Sequence, residues 1–559
     1  MPGWTGRLCV LWCLLGAQFV SAQGGPPPPP TPLGPPPVPV ENPLTEAKVQ
    51  LGKVLFWEEQ LSVTGTVACG TCHRPSAGGS DPRSAFVAAG STHPGPDSVF
   101  GNADDIQGSA GVPVHNDDGQ YSGHPQFGLN PQVGSRKSPP MLNAAYAPTL
   151  FWDGRAGGAF SDPLTGQLLI AQGGALENQA VAPLLNSVEM APQGALATDV
   201  AARIATARPL ALATAIPQAL LDWIAGRDYA ALFAEAFGDP AISPARMALA
   251  MASYQRTLVT TQAPIDQFFA GQPGALTTLE QQGLQTFNAL NCRGCHAGNR
   301  FTDDNFRYLG VRPVGEDLGR FEQTGNNPDR GAFRVPSLRN VAERAPYMHN
   351  GRFQTLAEVV DFYDRGGDFN APNKDPRIVP LGLTAQQKNA LVAFLGRPLS
   401  DPRVAPELPP FDRPTLYAES ERVPQVSGTA VNGSGGQPPR LLALEPPLLG
   451  NANFTLGIDQ GLGGAALTVV VHSSDPGLGS SIPAGDFANL SGALSGTGSG
   501  NGQLSLQLPL SGSDALLGQT LFARAYVQDP AAPNGLAISR LVSFTVFGQG
   551  NALFADDFE

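Results

Sequence analysis

Two pentapeptides carry the most specific chemistry in this sequence: CGTCH at Cys69, Cys72 and His73, and CRGCH at Cys292, Cys295 and His296. In each, two thiols lie about one helical turn apart. Both can form thioethers with the two vinyl groups of one haem, and the adjacent histidine then meets the iron. Zinc binding competes for CxxC pairs, but ribbon pairs lie roughly 15 to 20 residues apart, whereas these occupy opposite halves of a 559-residue chain. A thioredoxin-like redox pair needs neither the following histidine nor a second copy. The motifs therefore predict two covalently bound haem c groups, with His73 and His296 as proximal ligands. Two haems imply either a relay or a division of labour.

The rest of the chain must export and position these motifs. Of six cysteines, Cys9 and Cys13 lie in the apolar run LCVLWCLLGAQFV, behind Arg7 and ahead of Val20-Ser21-Ala22, which reads as a signal peptide over residues 1–22. No later run approaches the roughly 18 apolar residues of a membrane span, so the mature chain is expected to be periplasmic or secreted. A net charge of −13 argues against nucleic acid as a partner. Residues 23–42 are proline-rich and read as an extended spacer. Thr45 can then cap a helix bearing Val49, Leu51, Leu55 and Phe56 that leads to the first motif, and the Thr277–Glu280 capping box opens a helix leading to the second. Gly52-Lys-Val-Leu-Phe56 and Gly283-Leu-Gln-Thr-Phe287 precede the two motifs in the same way, so an internal duplication is expected. Residues 76–140 are rich in Gly, Pro, Asp and Ser and read as loop, helical patterns return over 195–258, and Thr384 with Gln387 can cap a closing helix. Beyond residue 405 lysine vanishes, and runs such as ALTVVVHSS and RLVSFTVF predict a β-sandwich-like domain over 436–559, after a flexible linker over 405–435. Its single histidine, His472, makes no chemical constellation, so a binding or presentation module is expected there. The terminal LFADDFE resembles short acidic-aromatic tails of some secreted bacterial proteins.

LGKVLFWEEQLS, FWDGRAGG, LENQAVAPLLNSVEM, CRGCH and FRVPSLRNVAERAPYMHNGRFQTLAEVVDFYDRGG follow one another in the order found in bacterial di-haem cytochrome c peroxidases. Residues 43–403 resemble that family. The resemblance extends to relatives that mature a tryptophan-derived cofactor; it does not reach the β unit. It implies a mainly α fold with two cytochrome c-like haem domains in tandem, a peroxidatic one over 43–265 with loop insertions and an electron-transfer one over 266–404, before the all-β domain. The implied reaction reduces hydrogen peroxide to water with electrons from a small donor protein, a cytochrome c or a cupredoxin. A homodimer is compatible with the resemblance.

By the same resemblance, Trp152 matches the tryptophan between the haems, Gln179 and Glu189 match the pair on the peroxide side of the first haem, and Met348 matches the ligand opposite His296. Heterolytic cleavage of peroxide moves a proton from the inner to the outer oxygen, which asks for a positioned carboxyl group. Some family members carry a loop histidine that blocks the first iron; His124 is the leading candidate, with His93 and His115 behind it. Lys137 stands where the family places an asparagine that helps hold calcium, and an ammonium cannot ligate that ion, which puts calcium in doubt. Two other functions compete: a di-haem enzyme oxidising a protein or organic substrate, and a non-enzymatic electron-transfer cytochrome with an adhesion module.

Overall fold

In a computed structural model, which describes residue 1 and residues 33–85, 90–116, 119–510 and 512–548, each CxxCH motif follows a helix that crosses a later helix at very short range. Thr45 caps the helix Glu46–Phe56 by accepting from the Lys48 N–H, and Leu51, Val54, Leu55 and Phe56 are buried on it. Gly52 meets the helix Pro244–Gln255: a Cβ there would lie 2.0 Å from the Ala250 carbonyl oxygen and 2.9 Å from the Tyr254 Cβ. The second unit repeats the device. Thr277 and Glu280 form the expected capping box on Thr278–Ala289, and a Cβ on Gly283 would lie 2.0 Å from the Ala390 carbonyl oxygen and 2.6 Å from the Phe394 Cβ. Ala390 and Phe394 lie on the helix Ala385–Leu395, capped by Thr384 and Gln387. In both crossings an alanine and an aromatic residue four positions on face the glycine, as one helical face requires. The duplication seen in sequence is thus a repeated helix crossing.

Each crossing organises its own core. Leu51, Leu55, Trp57, Phe233, Met247 and Met251 belong to the first, whereas Leu284, Phe287, Phe301, Phe362 and Phe394 belong to the second. Ala263 and Ile265 already pack with the second. Between residues 90 and 140 the loop carries only two-residue strands, such as Val114–His115 paired with Tyr121–Ser122.

The C-terminal part is an antiparallel β-sandwich. One sheet orders Arg440–Ala443, Thr455–Gly461 and Gly502–Gln507. The other orders Ala488–Ala493, Ala466–His472, Thr520–Gln528, Leu541–Thr545 and Gln425–Ser427, with Leu536–Ile538 beside Thr520–Gln528. Leu456 and Ile458 from the first sheet meet Val469, Val471, Ala525 and Phe544 from the second in a single core.

Two expected spacers are packed. Residues 405–424 are a strap: Val404, Phe411 and Leu416 enter the core of the first unit, the Tyr417 N–H donates to Glu59 at 2.7 Å, and Lys53 pairs with Asp412 at 2.8 Å. Apolar Phe and Leu side chains among the prolines give this segment something to bury, which a flexible linker lacks. The strap leads into Gln425–Ser427, an edge strand of the sandwich. The end of the proline-rich segment is docked as well, with the Asn42 amide donating to Glu177 at 2.9 Å and the Pro37 carbonyl accepting from Arg256 at 3.3 Å. The signal-peptide reading and the LFADDFE tail fall outside the described residues. No helix among the described residues is long and apolar enough to cross a membrane.

Gly52→Ala forces the two helices apart and is expected to destabilise the first unit by roughly 1–3 kcal/mol, the usual cost of overpacking. The check is a lowered urea midpoint, against Gly274→Ala as control, since a Cβ at Gly274 meets nothing within 4 Å.

Candidate functional site

The two motifs open onto two cavities. Cys69, Cys72 and His73 line one of about 350 Å³, and Cys292, Cys295 and His296 line one of about 430 Å³. Both volumes fall within the usual range of cofactor pockets. No disulfide joins the four cysteines of the two motifs. Burial pushes Cys69 and Cys72 up to about 12 and Cys292 up to about 11, so they are protonated and poor thiolate ligands. Among the described residues no group of three or more His, Cys, Asp or Glu side chains could hold a metal ion, which disposes of a zinc cage.

Both histidines are set up as neutral ligands. His296 Nδ1 lies 2.9 Å from the Phe301 carbonyl oxygen, so an Nδ1–H donated there leaves Nε2 free for iron; His73 Nδ1 lies 3.3 Å from the Gly79 carbonyl oxygen, and the Ser138 hydroxyl lies 3.2 Å from Nδ1 and 3.4 Å from Nε2. Burial lowers the pKa of His73 and pushes that of His296 down to about 4, which keeps the imidazoles unprotonated. Thiols, imidazole and a largely apolar cavity on each side fit a covalently attached haem.

Glu189 and Gln179 both line the first cavity. Gln179 is presented by the short helix Ala175–Val181. Glu189 sits on the turn after Leu185, where its Oε1 accepts from the Asn186 amide at 3.3 Å. Burial raises its pKa, opposed by the nearby charge of Arg155. Arg155 also lines this cavity, stacks over Phe151 at 3.6 Å and pairs with Asp153 at 2.9 Å. Sequence reasoning passed over this arginine, although it is the last residue of the quoted FWDGR.

Trp152 lines both cavities, as do Lys137, Ser138 and Arg334, so these residues form a common wall. The Trp152 indole donates to the Lys137 carbonyl at 2.7 Å, and its ring lies 6.4 Å from that of His349. Met348 lines the second cavity together with His296, and its φ of 71° is imposed at the turn.

His124 does not line the first cavity. Its ring packs 4.9 Å from that of Phe127, and its Nδ1 accepts from the Gln126 N–H at 3.1 Å. Its bridge partner Gly128 closes a tight turn that holds it aside. His93 lines the cavity instead. His115 packs edge-on against Tyr121, 4.7 Å between centroids.

The β unit rests on the loop that walls this same cavity. Ser109, Gly111, Val133 and Gly134 face the cavity, while Tyr121 donates to Glu445 at 2.8 Å, Arg440 donates to Asn130 at 2.7 Å, and Leu129 packs with Leu444.

The family described as di-haem cytochrome c peroxidase matches residues 46–274. The methylamine utilization protein MauG of Methylorubrum extorquens is 31% identical over 379 residues, covering 67% of this chain and 84% of that protein. The cytochrome-c peroxidase IdrP1 of Pseudomonas sp. (strain SCT) is 30% identical over 433 residues, covering 71% of this chain and 91% of that protein. Among solved structures, a MauG-like protein associated with microbial copper homeostasis superposes with a TM-score of 0.48 at 27% identity, over 67% of this chain and 95% of that one.

Two outcomes are expected. On denaturing gels the protein stains for haem, and the stain disappears only when Cys72→Ala and Cys292→Ala are combined. Stoichiometric zinc in place of the stain contradicts the assignment. Because Lys137 supplies no oxygen ligand, chelating divalent cations leaves haem content and turnover unchanged; loss on chelation with rescue by calcium alone contradicts this.

Proposed function

Because the chain belongs to the di-haem cytochrome c peroxidase family and so carries two covalently bound c-type haems, we propose that it reduces hydrogen peroxide to water at the first cavity, with electrons entering through the second. The observation that carries this reading is the pairing of half-buried Glu189 and Gln179 in the cavity that His73 also lines. Bound haem iron supplies the redox change, and hydrogen peroxide, two electrons and two protons become two waters. Gln179 orients peroxide by hydrogen bonds. Glu189 accepts the proton of the inner peroxide oxygen and returns it to the outer one, which leaves as water. Burial raises its pKa, which favours the proton-holding form, and the charge of Arg155 opposes that rise.

In the same reading the two units are tandem haem domains with distinct roles. Met348 and His296, which both line the second cavity, would hold the second iron, and a thioether ligand would favour the reduced state that an electron-accepting centre needs. Trp152, in the common wall, is the path between the centres. His93, which lines the first cavity where His124 does not, would be the loop histidine available to the first iron. The donor is a small cytochrome c or cupredoxin, and the protein works in the periplasm or outside the cell.

One observation favours a second reading, oxidation of a protein or organic substrate. The β unit is seated on the loop that walls the first cavity, a placement a simple peroxidase does not need. A purely electron-carrying cytochrome, by contrast, has no use for Glu189 and Gln179 in that wall.

Glu189→Gln is expected to keep both haems bound and to lower peroxide turnover by roughly 100-fold or more, the usual contribution of a positioned acid-base group. Steady-state assays with a small cytochrome as donor check this; turnover equal to wild type would falsify the role given to Glu189.

A further inference from the structure

Two cations buried at the junction of the haem units have no acidic partner. Lys137 is 4% exposed, and its ammonium donates to the Ser80 hydroxyl. Arg344 is 6% exposed, and its guanidinium donates to the backbone carbonyls of Ser337 and Arg339. Neither forms an ion pair among the described residues, and Asp81 and Glu343 act on them only from a distance. Other cations nearby are paired: Arg136 with Asp153 at 2.6 Å, Arg334 with Asp304 at 2.9 Å, and Arg83 holds Asp81 at 2.8 Å. Burial and the nearby charge of Arg344 together push Lys137 down to about 7, so the two charges act on one another.

Removing an ion from water without a counter-ion is strongly unfavourable, so two such cations side by side call for an anion between them. Both line the second cavity, and Lys137 reaches the first as well. Haem c brings two carboxylates that take no part in thioether formation or iron ligation. We propose that Lys137 and Arg344 form a carboxylate site that receives a propionate of the haem in the second cavity. This rests on the second cavity being loaded with haem, which the haem stain reports separately.

The pair bridges the units. Lys137 belongs to the first, and its N–H donates to the His349 carbonyl of the second at 2.7 Å. Arg344 belongs to the second, and a Cβ added to Gly78 of the first would lie 3.1 Å from its Cβ. A propionate held by both ties the haem to the junction, and the same two charges repel a divalent cation from it.

The test is resonance Raman spectroscopy of the holoenzyme, read at the low-frequency propionate bending band, which responds to hydrogen bonds and ion pairs at the carboxylate. Lys137→Met and Arg344→Met are each expected to shift this band, Lys137→Arg to keep it near the wild-type position, and the control Lys388→Met to leave it alone. An unmoved band in both Met variants, with both haems still attached, overturns the proposal. If those variants fail to fold, the wild-type holoprotein decides by crystallography. A propionate oxygen within roughly 4 Å of Lys137 Nζ or the Arg344 guanidinium supports the site. A metal ion or a foreign anion between the two cations overturns it.

Discussion

Five consecutive residues must offer two thiols and one imidazole nitrogen to a single flat group, and this constraint organises each haem unit. The thiols need a short helical turn, so each motif is suspended from a helix held rigid by a glycine crossing at Gly52 or Gly283. The imidazole needs a fixed orientation, so the chain after each motif folds back to place a carbonyl, of Gly79 or Phe301, against Nδ1. The rest of each unit then supplies the opposite wall. In the first that wall is polar, with Glu189, Gln179 and Arg155; in the second it includes a thioether, Met348. Two copies of one scaffold thus differ in the side chains that line the cavity together with the histidine.

The wall shared by the cavities is crowded with groups that interact through their backbones. Trp152 donates to the carbonyl of Lys137, whose N–H donates to the carbonyl of His349, next to Met348. A side chain between the centres is therefore tied by consecutive hydrogen bonds to the neighbour of a proposed iron ligand. A shift of that ligand turn is felt at Trp152 without any change in the helices. Packed protein interiors pass such displacements on because they contain few voids to absorb them.

Much of this was legible in the sequence wherever local chemistry decides. The CxxCH motifs, the Thr45, Thr277 and Thr384 caps and the repeated Gly-x-x-x-Phe pattern are each read over a few residues, and the structure has all of them. The alternation of short β-branched runs is equally local, and the sandwich follows from it. What escaped depends on distant partners. Pro and Gly suggested a free linker over 405–435, but Phe411 and Leu416 find a core more than 300 residues earlier in the chain. The choice among His93, His115 and His124 turns on how an irregular loop folds, and no periodicity reports that. Lys137 could be noticed as an odd residue, but its burial beside Arg344, also without an acidic partner, appears only when the two units meet.

The strap gives the molecule a nested topology with a consequence for its biogenesis. Because Val404, Phe411 and Leu416 complete the core that Leu51 and Leu55 begin, the core of the first unit is complete only once the chain has returned from the second. Loop closure over such a distance is slow relative to the formation of local helices. With the strap docked, both ends of the second unit are fastened to the first.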